Sequence, residues 1–315
     1  MNDSHRHGCN GRTAAQTPSD PHAAGDPAAL RDRIAQAVRD VRATTPLAQS
    51  FTNFVTINLV ANAQLAAGGT AAMSFLPDDV IDTSAISGAD YINVGTLLPF
   101  YKEALPQIAR AFHQSGHPWV LDPVAAGIGA TRTAILTAFK DYPPTIIRGN
   151  ASEVIALCDM WGLGRQDDGV SGDEHPSTRP AGVEAVDDVE SATDAARRLA
   201  RHMAPLSPGG QAVVAVSGKV DLVTDGDRIY WLPGGSALMS KITGAGCSLG
   251  GVTATYLAVA EPLTAALAAS LLYNRAGEIA ERLSDGPGSF QVHLLDALWN
   301  LTPEQVAAFE IVVAR

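Results

Sequence analysis

Five short apolar runs, at residues 71–74, 91–94, 119–122, 145–148 and 212–216, alternate with stretches of helical periodicity, and this alternation limits the fold more than any other feature of the chain. Apolar runs of this kind are found as strands inside sheets that helices cover. A further strand is expected just before the helical pattern at 58–67, which follows Phe51-Thr52-Asn53, and an earlier helix is expected over 29–41. Segments 221–223 and 228–232, joined by Thr224-Asp225-Gly226-Asp227, read as a hairpin at the sheet margin, so the sheet is expected to be mixed. Helices are expected over 243–260 and 265–282, with terminal packing helices at 294–300 and 303–311.

Outside this alternation the chain is of a different character. Residues 1–26 hold Gly, Pro, Asp, Ser and His without hydrophobic periodicity and read as a disordered tail, leaving 27–315 as one domain. Segment 161–188, acidic, rich in Gly and interrupted by Pro176 and Pro180, reads as an exposed loop. A net charge of −11 argues against a broad nucleic-acid surface but leaves room for a local cationic pocket. Cys9, Cys158 and Cys247 have no zinc-site spacing, and neither a signal peptide nor a membrane-spanning run is evident, so a cytoplasmic protein is expected.

Chemistry enters at Gly244-Ala245-Gly246-Cys247, which follows a strand-rich region and opens a helix. Glycines there allow a tight turn, and the free amides of a helix start can hold phosphate oxygens or the charge that develops as a phosphoryl group moves. The same glycines also suit close helix packing, and the spacing matches neither a dinucleotide fingerprint nor a P-loop. Cys247, at a helix start, has a setting that can depress a thiol pKa, although a plain buried thiol fits equally. Asp122, at a strand end, is either a magnesium-directed carboxylate or a turn residue, and Arg132 either a phosphate ligand or a surface arginine. Asn150 and Glu153, three apart, are either oxygen donors toward magnesium or the two halves of a capping box. Ser217 lies in a turn or at a nucleotide contact, and Met73 faces either the core or a heterocycle.

Taken in order, Thr52-Asn53, Asn93-Val94-Gly95-Thr96, Leu121-Asp122-Pro123-Val124, Arg148-Gly149-Asn150-Ala151-Ser152-Glu153, Ile242 to Cys247 and Gly286-Pro287-Gly288-Ser289-Phe290 give the chain a close resemblance to the hydroxyethylthiazole kinase family of the ribokinase-like superfamily, over about residues 47–301. The resemblance implies a three-layer α/β fold with a central, mainly parallel sheet flanked by helices, assembled as a trimer with pockets near subunit interfaces. It implies ATP as phosphoryl donor, Mg2+, and transfer to the primary hydroxyl of 5-(2-hydroxyethyl)-4-methylthiazole in thiamine salvage. On it, Met73 and Gly244 contact the thiazole substrate, Arg132 and Ser217 contact ATP, and Gly244, Ala245, Gly246 and Cys247 form the anion hole. Cys247 corresponds to the active-site cysteine, and Asp122, Asn150 and Glu153 surround magnesium directly or through water. Ala245 and Ser217 depart from the threonines common at those places, so the backbone of Ala245 must carry its local role. A kinase for another small alcohol and a non-catalytic metabolite-binding homologue are the alternatives, separated by whether ATP-dependent phosphorylation occurs.

Overall fold

The computed structural model describes residues 26–164 and 192–314. The expected tail, save Asp26, and residues 165–188 of the expected loop lie outside the described residues. Asp26 itself caps α1 (Pro27–Thr44), its carboxylate accepting from the Ala28 amide at 2.9 Å.

The strands are β1 (Leu47–Phe51), β2 (Thr70–Met73), β3 (Ala89–Asn93), β4 (Trp119–Asp122), β5 (Ile146–Asn150), β6 (Val213–Ser217), β7 (Val220–Thr224), β8 (Ile229–Pro233) and β9 (Val312–Ala314). They form one sheet in the order β2-β1-β3-β4-β5-β6-β7-β8-β9. Strands β1 to β6 are parallel, and β7, β8 and β9 extend the sheet by antiparallel pairing. The hairpin is therefore not the margin, because β9 covers the outer edge of β8. The helix expected over 303–311 stops at Ala307, and the chain then straightens to satisfy the open edge of β8.

Between the strands lie α2 (Ile57–Ala66), α3 (Pro77–Ser84), α4 (Tyr101–Ser115), α5 (Ala130–Ala138), α6 (Ala151–Met160) and α7 (Thr193–Met203), followed by α8 (Ala245–Leu257), α9 (Pro262–Leu283), α10 (Pro287–Asn300) and α11 (Pro303–Ala307). Alternation of side chains along each strand divides the interior into two cores. Val213 and Ala215 join the core beneath α1, α2, α8 and α9, whereas Val214 and Val216 join the one beneath α4 to α7. Eleven of the thirteen residues of α8 are buried, so this helix has no solvent face, and its small residues let the sheet and α2 approach it. Trp161, expected at the start of an exposed loop, is instead buried, and its indole N–H donates to the Leu136 carbonyl at 2.8 Å. No helix among the described residues is long and apolar enough to cross a membrane.

Candidate active site

Because β1 to β6 are parallel, the loops leaving them gather at one edge of the sheet. Helix α8 brings its N-terminus to that edge. Gly244, just before it, has φ 94° and ψ 7° and no side-chain cap. That conformation favours glycine, and a Cβ would stand 2.7 Å from Thr56 Cγ2. The Ser248 amide donates to the Gly244 carbonyl at 2.8 Å, so the amides of Ala245, Gly246 and Cys247 precede the helical ladder and have no acceptor within it. N–H groups left open at the positive end of a helix have the chemistry to hold an anion.

Beneath the turn, strand register sets a row of polar side chains on one face, with Asn93 opposite Asp122 across β3 and β4 and Arg148 on the neighbouring β5. Asn53 Nδ2 donates to Cys247 Sγ at 3.4 Å and to Asn93 Oδ1 at 3.0 Å. Asn93 Nδ2 in turn donates to Tyr91 Oη at 2.8 Å and to Asp122 Oδ2 at 3.1 Å. The Tyr91 hydroxyl also donates to Asp122 Oδ2, at 3.0 Å. Arg148 Nη1 lies 3.7 Å from that oxygen, and its Nη2 donates to Ser217 Oγ at 2.6 Å. A buried polar series thus runs from the thiol of Cys247 to the hydroxyl of Ser217.

Burial governs the protonation of this series. It pushes the Asp122 carboxyl up to about 7, against the pull of Arg148 and with help from Glu153. Burial also opposes the charge of Arg148, but Asp122, Tyr91 and Glu153 around it hold its pKa above the usual value, so it stays cationic. The Cys247 thiol is raised, first by burial and then by the charge of Asp122, so the low thiol pKa that a helix start can confer does not arise.

A family model described as the hydroxyethylthiazole kinase family matches residues 38–304. A hydroxyethylthiazole kinase of Bifidobacterium adolescentis is 72% identical over 283 residues, which are 90% of this chain and 95% of that protein. One of Bifidobacterium longum strain DJO10A is 67% identical over 310 residues, 96% of this chain and 97% of that protein. The chain belongs to the hydroxyethylthiazole kinase family. The solved structure of a hydroxyethylthiazole kinase protein from Pyrococcus horikoshii OT3 superposes with a TM-score of 0.76 at 28% identity, covering 90% of this chain and 100% of that one. The fold is thus the three-layer, ribokinase-like α/β arrangement.

Against this hydroxyethylthiazole kinase frame, the residues singled out by sequence do not all meet. Gly244, Ala245, Gly246 and Cys247 form the helix start, and Asp122 lies beneath it. Ser217 is joined to Arg148, not to Arg132. The Arg132 guanidinium is spread over three carbonyls, with Nε donating to Val94 at 3.1 Å, Nη1 to Ile128 at 2.8 Å and Nη2 to Gly95 at 3.1 Å. Asn150 and Glu153 form the capping box of α6. Asn150 Oδ1 accepts from the Glu153 amide at 2.9 Å and from the Ser152 hydroxyl at 2.8 Å, so it has no lone pair left for direct ligation of a cation. Glu153 Oε2 accepts from the Asn150 amide at 2.9 Å and Oε1 from the Ala125 amide at 3.1 Å, and each oxygen keeps a lone pair. Among the described residues no group of three or more His, Cys, Asp or Glu side chains is close enough to hold a metal ion. Met73 is half-buried at the end of the outer strand β2, opposite Ser50, and leads into an aromatic group in which the Phe75 ring lies 4.9 Å from Phe54 and 5.4 Å from Phe51.

Arg148, Tyr91, Asn53 and Asn93 are functional candidates that no spacing in the chain singles out. A detectable signal existed for Arg148, a cation closing an apolar strand run and therefore buried at the strand end. Nothing in its spacing marks Tyr91, which reads as one more apolar strand residue.

Proposed function

We propose that the open start of α8 is where this hydroxyethylthiazole kinase passes the phosphoryl group of ATP to the primary hydroxyl of 5-(2-hydroxyethyl)-4-methylthiazole, giving the phosphate used in thiamine salvage. One observation carries the placement: uncapped amides, the buried cation Arg148 and the thiol of Cys247 meet at a single turn. A Cβ on Gly246 would stand 2.7 Å from Arg148 Nη1, so the guanidinium lies directly against that turn.

Transfer of this kind proceeds through a loose transition state with charge spread over the equatorial oxygens, and positioning with electrostatic support does most of the work. The amides of Ala245, Gly246 and Cys247 and the Arg148 guanidinium supply that support. Ser217 and Arg148 take the donor phosphates, and Arg132 shapes the wall by fastening the loops after β3 and β4. Cys247, kept protonated by its surroundings, orients the substrate hydroxyl, and the proton passes to the transferred phosphate. Magnesium, when bound, screens the phosphate charge. Asp122 fits it, because Oδ1 is buried without a protein partner, and Glu153 fits it through water with its remaining lone pairs. Met73 and the aromatic rings beyond it form the apolar wall for the thiazole. Exposure of Phe54, Val55, Leu76 and Phe100 around that wall supports its being covered by a second copy, as in the trimer that the family resemblance implies.

The test is direct measurement of thiazole phosphate after incubation with Mg-ATP and hydroxyethylthiazole. Saturable binding of both ligands without that product would overturn the reading, and much faster phosphorylation of another alcohol would replace the substrate. In the same assay Arg148→Met is expected to raise KM for ATP about tenfold or more, as loss of a charge-assisted contact does. Arg132→Met is expected to lower the melting temperature more than the ATP affinity.

A further inference from the structure

With Asp122 ionised, Asp122 and Arg148 are opposite charges, both buried, yet their nearest atoms stay 3.7 Å apart. A contact pair of this type closes to about 2.7–2.9 Å when nothing restrains it. The restraint is visible in the donors around Asp122. The Gly95 amide can only donate, and at 2.9 Å from Asn93 Oδ1 it fixes which end of the Asn93 amide is oxygen. Asn93 Nδ2 must then point to Tyr91 Oη and Asp122 Oδ2, and the Tyr91 hydroxyl, already accepting from Asn93, must spend its own proton on Asp122 Oδ2. Two neutral donors thus converge on the carboxylate oxygen nearest Arg148.

The ring that brings this hydroxyl in depends on α8. A Cβ on Gly250 would stand 2.6 Å from Tyr91 Cζ and 2.7 Å from its Oη. Gly246 and Gly250, four apart and so on one face of α8, leave the space for Arg148 and Tyr91 respectively.

We infer that Tyr91 is a positioning residue for the nucleotide: its hydroxyl holds Asp122 off Arg148, so that the guanidinium stays against Gly246 and Ser217 where donor phosphate arrives. The inference rests on the placement of transfer at the start of α8. Without the hydroxyl, Asp122 swings onto Arg148, neutralises it and draws it away from Ser217.

Tyr91→Phe keeps the ring in the Gly250 groove and removes only the hydroxyl. In titrations of the full chain with Mg-ATP and with hydroxyethylthiazole, this variant is expected to lose about tenfold in ATP affinity, the size of one charge-assisted contact, with thiazole affinity within about twofold of wild type. In an Asp122→Asn background the same substitution is expected to have no further effect on ATP affinity, because the carboxylate through which it acts is gone. Gly250→Ala, pressing on the same ring from α8, is the second arm and should give the same nucleotide-only loss. Unchanged ATP affinity in Tyr91→Phe, equal losses for both ligands, persistence of the effect in Asp122→Asn, or loss of the fold would each overturn the assignment. Absence of thiazole phosphate from the wild-type chain would instead count against the proposed reaction, so the two failures are distinguishable.

Discussion

Two helices start at the same edge of the sheet, and their ends are built in opposite ways. Helix α6 begins with a reciprocal capping box, in which Asn150 and Glu153 satisfy each other's amides and Glu153 also holds the Ala125 amide. Helix α8 begins at a left-handed glycine with no side-chain cap, and its first amides are left for something else. Both ends carry the same helix dipole, so dipole alone does not make an anion site. What separates them is whether side chains have already taken the amides. A closed end stabilises the fold, whereas an open end trades that stabilisation for a place to hold charge.

Closing the open end should give the largest effect. Gly244→Ala places a methyl against Thr56 in a conformation unfavourable to alanine, shifting the turn and its amides. Loss of one well-placed oxyanion donor costs about 10²–10³ in kcat, and a loss of that order is expected in steady-state kinetics with ATP binding less affected. Wild-type turnover would show that the turn is packing and not machinery. Next in size is the reactivity of Cys247, where dipole and burial compete. Since its pKa is raised, the thiol is protonated at neutral pH, and residue-resolved alkylation by iodoacetamide should climb about tenfold per pH unit to at least pH 9. A plateau below pH 8 would mean that the open helix end outweighs burial. Opening the closed end should give the smallest effect. Asn150→Ala removes a cap and is expected to cost about 1 kcal/mol in denaturant unfolding, with kcat within a few fold of wild type. A large loss of kcat without loss of stability would move Asn150 from cap to catalytic machinery.

Much of this contrast is legible in the sequence. Asn150 and Glu153 have the spacing of a capping box, and Gly244 to Cys247 that of a turn opening a helix, although spacing could not separate capping from magnesium binding at the first or packing from anion binding at the second. Arg132 lies on α5 and Arg148 within β5, and only the fold shows the first guanidinium donating to the carbonyls of Val94, Gly95 and Ile128 and the second lying against Gly246. The sequence spacing of α8 likewise permitted a depressed thiol pKa, and burial beside Asp122 reversed its direction.

The linear chain carries the alternation of strands and helices, the ordered motifs of the hydroxyethylthiazole kinase family and the location of the glycine turn. These are local or linear properties, written in periodicity, turn residues and motif order. Tertiary structure alone sets which cation stands at the turn, how Cys247 is protonated, that Asp122 and Arg148 stay 3.7 Å apart, and that the last strand runs along the edge of β8. Each of these depends on groups far apart in the chain meeting where water is excluded, and there desolvation and donor direction, not sequence spacing, set the outcome.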